Sequence, residues 1–153
     1  LGYWNKEKET NEILKNGWLH TGDIGEIDSN GYLKITDRKK DIIVNHGGDN
    51  ISPSKIENTI CNEEKIKQCL VYGDKKNYLV ALIVVDKKDK NDSTIRSIIE
   101  NNNNKLSIIE KIKKFKLIEE EFTIENGLMT PTLKLKRKKI IEKYKQDLEN
   151  LYS

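Results

Sequence analysis

The apolar run "YLVALIVVD" at residues 78–86 restricts the possible folds of this chain more than any other feature. It is far shorter than the roughly 20 apolar residues that a helix needs to span a bilayer. A second apolar run, "KQCLVYGD" at residues 67–74, precedes it, and the turn "KKN" separates the two. The runs predict two strands of a packed core, although 35% of the 153 residues are charged.

Helical patterns flank these strands. The segment 54–64, "SKIENTICNEE", predicts a helix that opens at Ser52-Pro53, with Ser54 and Glu57 as an alternative capping box. A closing helix is predicted from about Lys136. Its apolar face comprises Ile140, Ile141, Tyr144, Leu148 and Leu151.

The segment between these helices is more ambiguous in its pattern. Residues 91–115, "NDSTIRSIIENNNNKLSIIEKIKKF", predict a helix, an exposed turn at Asn101–Asn104 and then a second helix. Residues 115–127, "FKLIEEEFTIENG", alternate between apolar and polar side chains and predict a strand.

A hairpin precedes this module. Residues 18–28, "WLHTGDIGEID", and 31–37, "GYLKITD", each predict a strand, and "SNG" predicts the turn between them. The expected fold class is therefore α+β, a small mixed sheet with flanking helices preceded by a β-hairpin. We place the domain boundary after residue 39, which gives segments 1–39 and 40–153.

Charge and cysteine content restrict the class of protein. The net charge of +3 argues against a dedicated nucleic-acid binder, although "LKLKRKKIIEKYK" near the end is strongly basic. Cys61 and Cys69 lack metal-site spacing and are expected to be reduced, partly buried thiols of a cytoplasmic protein. The chain starts without Met, and its one methionine is Met129, so we expect it to be a piece of a longer polypeptide.

Four segments, in order, resemble the C-terminal part of the adenylate-forming superfamily, which includes acyl-CoA synthetases, luciferases and peptide-synthetase adenylation domains. They are "GYWNKEKET", "GWLHTGDIG", "GYLKITDRKKDIIVNHGGDNISPSKIE" and "TPTLKLKRKKI". The resemblance covers nearly the whole chain and is weakest between residues 60 and 120. Many members have Gly-Lys where this chain has Leu133-Lys134. The forms "GLMTPTLKLKR" and "GGDNISPSKIEN" are closer to long-chain fatty acyl-CoA synthetases, which favours a fatty acid substrate.

The resemblance implies roles for residues in the second motif and in the first part of the third. Asp23 corresponds to the aspartate that holds the ATP ribose, since a carboxylate can accept hydrogen bonds from two hydroxyls. Arg38 corresponds to an arginine that also reaches the ribose, and its fork of donors suits a fixed polar clamp. Lys40 occupies the hinge position about which the C-terminal domain rotates between two half-reactions.

The rest of the third motif and the fourth motif imply a transfer loop and a catalytic lysine. Gly47 and Gly48 would face the active site during thiol transfer and let the pantetheine arm of CoA pass close to the backbone, or they are turn residues selected for positive φ. Lys134 corresponds to the lysine that bridges the substrate carboxylate and the α-phosphate. Lys136 is a nearby rival for this role, and the flanking residues favour Lys134.

The implied substrates and cofactors are a carboxylic acid, ATP, CoA and Mg²⁺, with the Mg²⁺ ligands and acid pocket in a large N-terminal domain that is this module's partner. His20 and His46 stand without acidic partners at ligand spacing, so no metal site is expected here. The isolated 153 residues are expected to be inactive, and the parent is expected in the cytoplasm, free or peripherally attached to a membrane. Two alternatives stay open: a basic module that binds nucleic acid or a membrane surface, and an enzyme of the same superfamily that loads a carrier protein.

Overall fold

The computed structural model describes residues 2–86, 88 and 91–153. It divides the chain into two compact units, Leu1–Lys40 and Asp41–Ser153. Among the described residues, no helix is long and apolar enough to cross a membrane.

The first unit contains one helix and two hairpins. Helix α1 spans Glu7–Ile13, β1 (Leu14–Lys15) pairs with β2 (Trp18–Leu19), and β3 (Asp23–Ile27) pairs with β4 (Leu33–Arg38), both pairs antiparallel. The prediction of one strand over residues 18–28 is wrong, because the chain turns at Gly22, whose φ is +73°. The turn predicted between β3 and β4 is confirmed. There the Asp28 carboxylate accepts hydrogen bonds from the backbone N–H groups of Asn30 and Tyr32, at 2.8 and 3.0 Å.

A three-stranded sheet organises the second unit. Its strands are β7 (Ile66–Tyr72), β8 (Leu79–Val85) and β9 (Ile112–Ile118). β8 lies in the middle, antiparallel to β7 and parallel to β9, so the sheet is mixed as the fold class predicted. Every residue of β8 is buried. Because helices and loops cover both faces of the sheet, the strand reads as a continuous apolar run rather than an alternating one.

The alternating side chains of β8 enter two different cores. On one face, residues such as Ala81 and Ile83 pack with the buried isoleucines of two helices, α2 (Pro53–Cys61) and α3 (Asp92–Asn103). On the other face, residues such as Leu82 pack with Phe122 and with α4 (Arg137–Lys143) and α5 (Lys145–Asn150). The two-residue strands β5 (Ile43–Val44) and β6 (Asn50–Ile51) form a separate hairpin beside this sheet.

The predicted start of α2 is confirmed, whereas the predicted closing helix needs correction. Ser52 caps α2 by accepting the Lys55 N–H at 3.2 Å, and Pro53 is the first helical residue, as predicted. Glu57, the residue of the alternative capping box, accepts the Val71 N–H at 2.7 Å through Oε1. The closing helix has the predicted apolar face, with Ile140 and Leu148 buried, but it is interrupted at Tyr144 and forms α4 and α5.

The segment after α3 differs most from the sequence prediction. A short 3-10 turn, Ile108–Glu110, replaces the predicted second helix, and strand β9 follows it. β9 begins at Ile112 and ends at Ile118, so both of its ends lie earlier in the chain than those of the strand predicted over residues 115–127. The long-range pairing with β8 decides this outcome, because it outweighs the local helical pattern.

Burial differs from the prediction in the asparagine run and at the two cysteines. Asn102 lies within α3 and is 1% exposed, since its Nδ2 donates to Glu63 Oε1 and Ile98 O, both at 2.9 Å. The run Asn101–Asn104 is therefore not an exposed turn. Cys61 and Cys69 are both free thiols, but only Cys69 is buried, so the prediction of partial burial is wrong for Cys61.

Candidate functional site

Asp23 and Arg38 form an ion pair in the first unit. The β3–β4 register places them directly opposite each other, and Arg38 Nε lies 2.7 Å from Asp23 Oδ1. The Asp23 side chain is 25% exposed and that of Arg38 is 52% exposed, so the pair remains open to a solvent-borne ligand. The structure thus brings together two residues that the sequence places in different motifs.

Backbone geometry fixes the turn before Asp23. The Asp23 N–H donates to Thr21 Oγ1 at 3.1 Å, and the left-handed conformation of Gly22 closes the turn. The Lys39 N–H donates to the Gly22 carbonyl at 2.8 Å, which ties the end of β4 to the same turn. Lys40, the predicted hinge residue, follows immediately, is exposed and is the last residue of the first unit.

Gly47 and Gly48 lie in the tight β5–β6 connection. The Gly48 N–H donates to the Asn45 carbonyl at 3.1 Å, and the Asn45 side chain accepts from the Asp49 N–H at 2.9 Å. Gly48 has a φ of +87°, so it supplies the left-handed conformation that the turn requires. Gly47 has no such φ. A Cβ there would lie 3.3 Å from Asn45 Oδ1, so glycine avoids a tight contact with the Asn45 side chain.

Hydrogen bonds connect this glycine loop to the β7–β8 turn. The His46 N–H donates to the Lys76 carbonyl at 2.9 Å, and the Lys75 N–H donates to the Val44 carbonyl at 2.8 Å. The Lys76 ammonium lies 2.8 Å from Glu149 Oε2, and this contact raises the pKa of Lys76. Hydrogen bonds therefore connect the glycine loop to the β7–β8 turn, and the Lys76–Glu149 ion pair connects that turn to α5.

Lys134 lies in a small hairpin before α4. The Leu133 N–H donates to the Thr130 carbonyl at 2.9 Å, and the Thr130 N–H donates to the Lys134 carbonyl at 2.8 Å. Thr130 Oγ1 accepts the Lys134 N–H at 3.0 Å. The side chain of Lys134 is exposed, and within the described part of the chain its ammonium makes no ion pair or hydrogen bond. We call residues 128–136 the lysine hairpin.

The conformation of Leu133 shows why glycine suits this position in the Gly-Lys pattern. Its φ is +58°, the left-handed conformation that closes a three-residue hairpin loop. Glycine adopts this conformation without strain, whereas in a leucine it raises the free energy of the folded chain by about 1–2 kcal/mol. The side chain is 69% exposed, so packing does not compensate.

Arg137 and Glu57 were not singled out as a pair by the sequence. Arg137 Nη1 donates to Glu57 Oε1 at 2.6 Å, and Arg137 Nη2 donates to the Val71 carbonyl at 2.5 Å. The side chains of Arg137 and Glu57 are only 15% and 12% exposed. Arg137 lies within the basic run "LKLKRKK", and nothing in the sequence distinguishes a buried arginine from its solvated neighbours there.

No metal centre can be built from the described residues. Nowhere in residues 2–86, 88 and 91–153 do three or more His, Cys, Asp or Glu side chains gather as a metal would require. The two histidines lie in different units, His20 beside β2 and His46 in the glycine loop.

The fold and these motifs together define a class of protein. Residues 40–153 match the family described as AMP-binding enzyme C-terminal domain. The chain belongs to this family.

Solved structures support the same fold. The adenylation domain of a carboxylate reductase from Mycobacterium chelonae aligns with a TM-score of 0.90 and 27% identity, over 99% of this chain and 26% of that one. A fatty acyl CoA synthetase from Mycobacterium tuberculosis aligns with a TM-score of 0.60 and 32% identity, over 94% of this chain and 27% of that one.

Curated relatives are long-chain fatty acid–CoA ligases. The long-chain-fatty-acid–CoA ligase FadD15 of Mycobacterium tuberculosis is 36% identical over 99% of this chain and 29% of its own length. The long-chain-fatty-acid–CoA ligase 5 of Mus musculus is 35% identical over 99% of this chain and 26% of its own length. The chain thus spans less than a third of the length of these relatives.

Proposed function

We propose that this chain is the C-terminal part of an ATP-dependent acid–CoA ligase that activates a fatty acid as an acyl-adenylate and transfers it to CoA. The observation that carries the proposal is the 36% identity to FadD15 over 99% of the chain. The division into two units at Lys40 supports the assignment of residues 1–39 to the end of a large domain and of residues 40–153 to a mobile lid.

In the first half-reaction, a carboxylate oxygen of the acid attacks the α-phosphorus of ATP, and pyrophosphate leaves. Both reactants are anionic, so a cation between them lowers the barrier by offsetting the charge that builds in the transition state. Lys134 is the proposed source of that cation. Its exposure and its constrained hairpin support the role, because the ammonium can reach a ligand while its backbone stays in place.

The ribose is the proposed ligand of the Asp23–Arg38 pair. Asp23 has a second carboxylate oxygen beyond the one that faces Arg38 Nε, and ionised carboxylates accept hydrogen bonds from hydroxyl groups. Arg38 has donors in addition to Nε and fixes the carboxylate in one orientation. The pair would hold the nucleotide in one position during adenylation.

In the second half-reaction, the CoA sulfur attacks the acyl carbonyl carbon, and AMP leaves. We propose that rotation about Lys40 removes Lys134 from the nucleotide and brings Gly47 and Gly48 towards the pantetheine arm. The absence of a side chain at Gly47 supports this role, since it leaves the backbone of this loop open to close approach. Mg²⁺, when bound with ATP, would neutralise phosphate charge, and we propose that its ligands lie outside residues 1–153.

A carrier-protein thiol is the second candidate acceptor. It is supported by the similarity to a carboxylic acid reductase from Segniliparus rugosus whose A-PCP didomain was solved in complex with AMP, with a TM-score of 0.89 and 25% identity. The two candidates share the adenylation step and differ only in the thiol that receives the acyl group.

Pyrophosphate release by the complete polypeptide that carries this chain tests the proposal. We expect release with long-chain fatty acids in a panel that also contains short-chain, aromatic and amino acids. CoA and a phosphopantetheinylated carrier protein would then be offered separately to the acyl-adenylate. Acyl-CoA formation supports the ligase, acyl transfer to the carrier alone supports the second candidate, and no pyrophosphate release with any acid contradicts both. The 153 residues alone are expected to show no ATP–pyrophosphate exchange.

A further inference from the structure

Arg137 occupies an unusual position for a residue in a basic run. Its two terminal nitrogens contact two different elements, Glu57 of α2 at 2.6 Å and the Val71 carbonyl of β7 at 2.5 Å. Glu57 Oε1 also accepts the Val71 N–H at 2.7 Å, so the three residues form a closed set of contacts. We call this set the Arg137 clamp.

The clamp takes the place of a neighbouring strand at the open edge of the sheet. β7 is paired on one side only, with β8, so some of its backbone groups have no ladder partner. At Val71 the N–H bonds to the Glu57 carboxylate and the C=O bonds to the Arg137 guanidinium. Both side chains are largely buried, and a charged pair in such a place holds its geometry because breaking it leaves a buried charge unpaired.

The clamp also fixes the base of the lysine hairpin. Arg137 is the first residue of α4, and the residue before it, Lys136, donates its N–H to the Leu128 carbonyl at 2.8 Å. Leu135 forms a bridge with Met129, and Lys134 bonds to Thr130. A continuous set of backbone hydrogen bonds therefore runs from the clamp to Lys134, and Ile140 anchors the other side of Arg137 in the core.

We propose that Arg137 is a positioning residue for Lys134, and that it acts through Glu57 and the Val71 backbone. This inference rests on the proposed role of Lys134 in adenylation. β7, which carries Val71 of the clamp, pairs with the fully buried strand β8, so the clamp makes the lysine hairpin move with the sheet. Without the clamp, the Lys134 ammonium would occupy its position for adenylation less often, and acyl-adenylate formation would slow.

The test compares both half-reactions in the complete polypeptide. We expect Arg137→Met to slow single-turnover acyl-adenylate formation at least about tenfold, with thiolysis of preformed acyl-adenylate changed less than about twofold. Arg137→Lys keeps the charge but loses the two-point contact, so an intermediate rate is expected. Glu57→Gln is the milder second variant if Arg137→Met fails to fold. Lys138→Met, which removes an exposed charge one residue further along α4, is the matched control and should leave both rates unchanged.

Amide hydrogen exchange gives a readout that does not depend on activity. The N–H groups of Lys134 and Lys136 should exchange faster in Arg137→Met than in wild type, while those of β8 should keep their protection. Adding Lys134→Ala separates the two proposals, because Arg137→Met should then cause no further loss of adenylation.

The outcomes distinguish failure of the inference from failure of the proposed function. If Lys134→Ala alone leaves adenylation intact, the proposed role of Lys134 is wrong, and the inference is overturned with it. If Lys134→Ala abolishes adenylation but a folded Arg137→Met or Glu57→Gln protein retains the wild-type rate, only the inference is overturned. Equal slowing of both half-reactions also overturns it, because that result indicates general destabilisation.

Discussion

Asp23 and Arg38 face each other across the β3–β4 ladder, with Asp23 Oδ1 2.7 Å from Arg38 Nε. Neither residue is buried, so the contact alone contributes little to folding. Its value lies in the geometry, because the arginine holds one carboxylate oxygen and orients the other. This arrangement suits recognition of a diol and leads to a direct test of ribose binding.

Asp23→Asn should weaken ATP binding in the complete polypeptide. We expect the KM for ATP to rise about ten- to a hundredfold, as loss of hydrogen bonds to a charged group predicts. The variant should also discriminate less between ATP and 2′-deoxy-ATP, because the lost acceptor served the ribose hydroxyls. Glu26→Gln, at an exposed position of the same strand, is the control and should change neither value. An unchanged ATP to 2′-deoxy-ATP ratio in Asp23→Asn would show that Asp23 does not contact the ribose.

Lys134→Ala should separate the two half-reactions. Acyl-adenylate formation is expected to fall about a hundredfold or more, since the variant lacks the cation that offsets transition-state charge. Thiolysis of preformed acyl-adenylate should be largely preserved. Lys136→Ala, which removes the rival lysine, is the control and should keep most of the adenylation rate. Near wild-type adenylation by Lys134→Ala would remove Lys134 from the role.

Gly47→Ala and Gly48→Ala should differ in what they impair. At Gly47 an added Cβ would lie 3.3 Å from Asn45 Oδ1 and 3.4 Å from Asp49 Oδ2, a tight fit without backbone strain. We expect this variant to fold normally, to adenylate at the wild-type rate and to transfer the acyl group to the thiol more slowly. At Gly48 the φ of +87° makes alanine strained, so a loss of stability of about 1 kcal/mol is expected. Equal acyl-transfer rates in wild type and Gly47→Ala would contradict the proposed passage of the pantetheine arm.

Leu133→Gly should stabilise the chain. The leucine has a φ of +58°, and relief of its strain outweighs the extra freedom of glycine in the unfolded chain, for a gain of up to about 1 kcal/mol. Urea unfolding measures the change. Leu133→Ala removes the same exposed side chain but keeps the strain, so it should not stabilise. Equal stabilities of the glycine and alanine variants would mean that the left-handed conformation is not strained.

Glu110 should contribute stability that disappears in acid. Burial alone would raise the pKa of this carboxyl, but hydrogen bonds from Lys55 and Ser107 outweigh burial and hold the pKa below its ordinary value of 4.5. Because the folded pKa is lower than the unfolded pKa, the contribution is complete above pH 4.5 and is lost as the pH falls through the folded pKa. The difference in free energy of unfolding between wild type and Glu110→Gln should therefore be about 0.5–1 kcal/mol near neutral pH and should shrink in acid.

Urea unfolding at a series of pH values measures this difference. Lys55→Met should remove part of the same pH dependence, whereas Lys113→Met, at an exposed position of β9, should leave it unchanged. A difference between wild type and Glu110→Gln that stays constant down to the acid limit would contradict the lowered pKa.

The local features of the fold were predictable because they depend on neighbouring residues. The Ser52-Pro53 helix start, the β3–β4 turn and the apolar face of the closing helix all follow from short-range rules of capping, turn chemistry and periodicity. The β9 segment was mispredicted because its lysines and isoleucines also fit a helix. Only the parallel pairing with β8, formed across the intervening α3, selects the strand.

The candidate site likewise contains residues that the sequence identifies and residues that only the tertiary structure brings together. The motif residues Asp23, Arg38, Lys40, Gly47, Gly48 and Lys134 could be identified from sequence, and their proposed roles stay predictions. The Arg137 clamp could not be identified, because it joins residues from α2, β7 and α4 that are distant in the sequence.

By itself, the sequence determined the family, the order of the motifs and the central apolar strand, since each is a property of consecutive residues. The tertiary structure decided that Arg38 meets Asp23, that Arg137 is buried against Glu57 and that Lys134 remains exposed. The physical reason is that burial and ion pairing depend on which segments pack together. Nothing in the sequence distinguishes the environment of Lys134 from that of Arg137. Only the folded structure places Arg137 beside the buried carboxylate of Glu57.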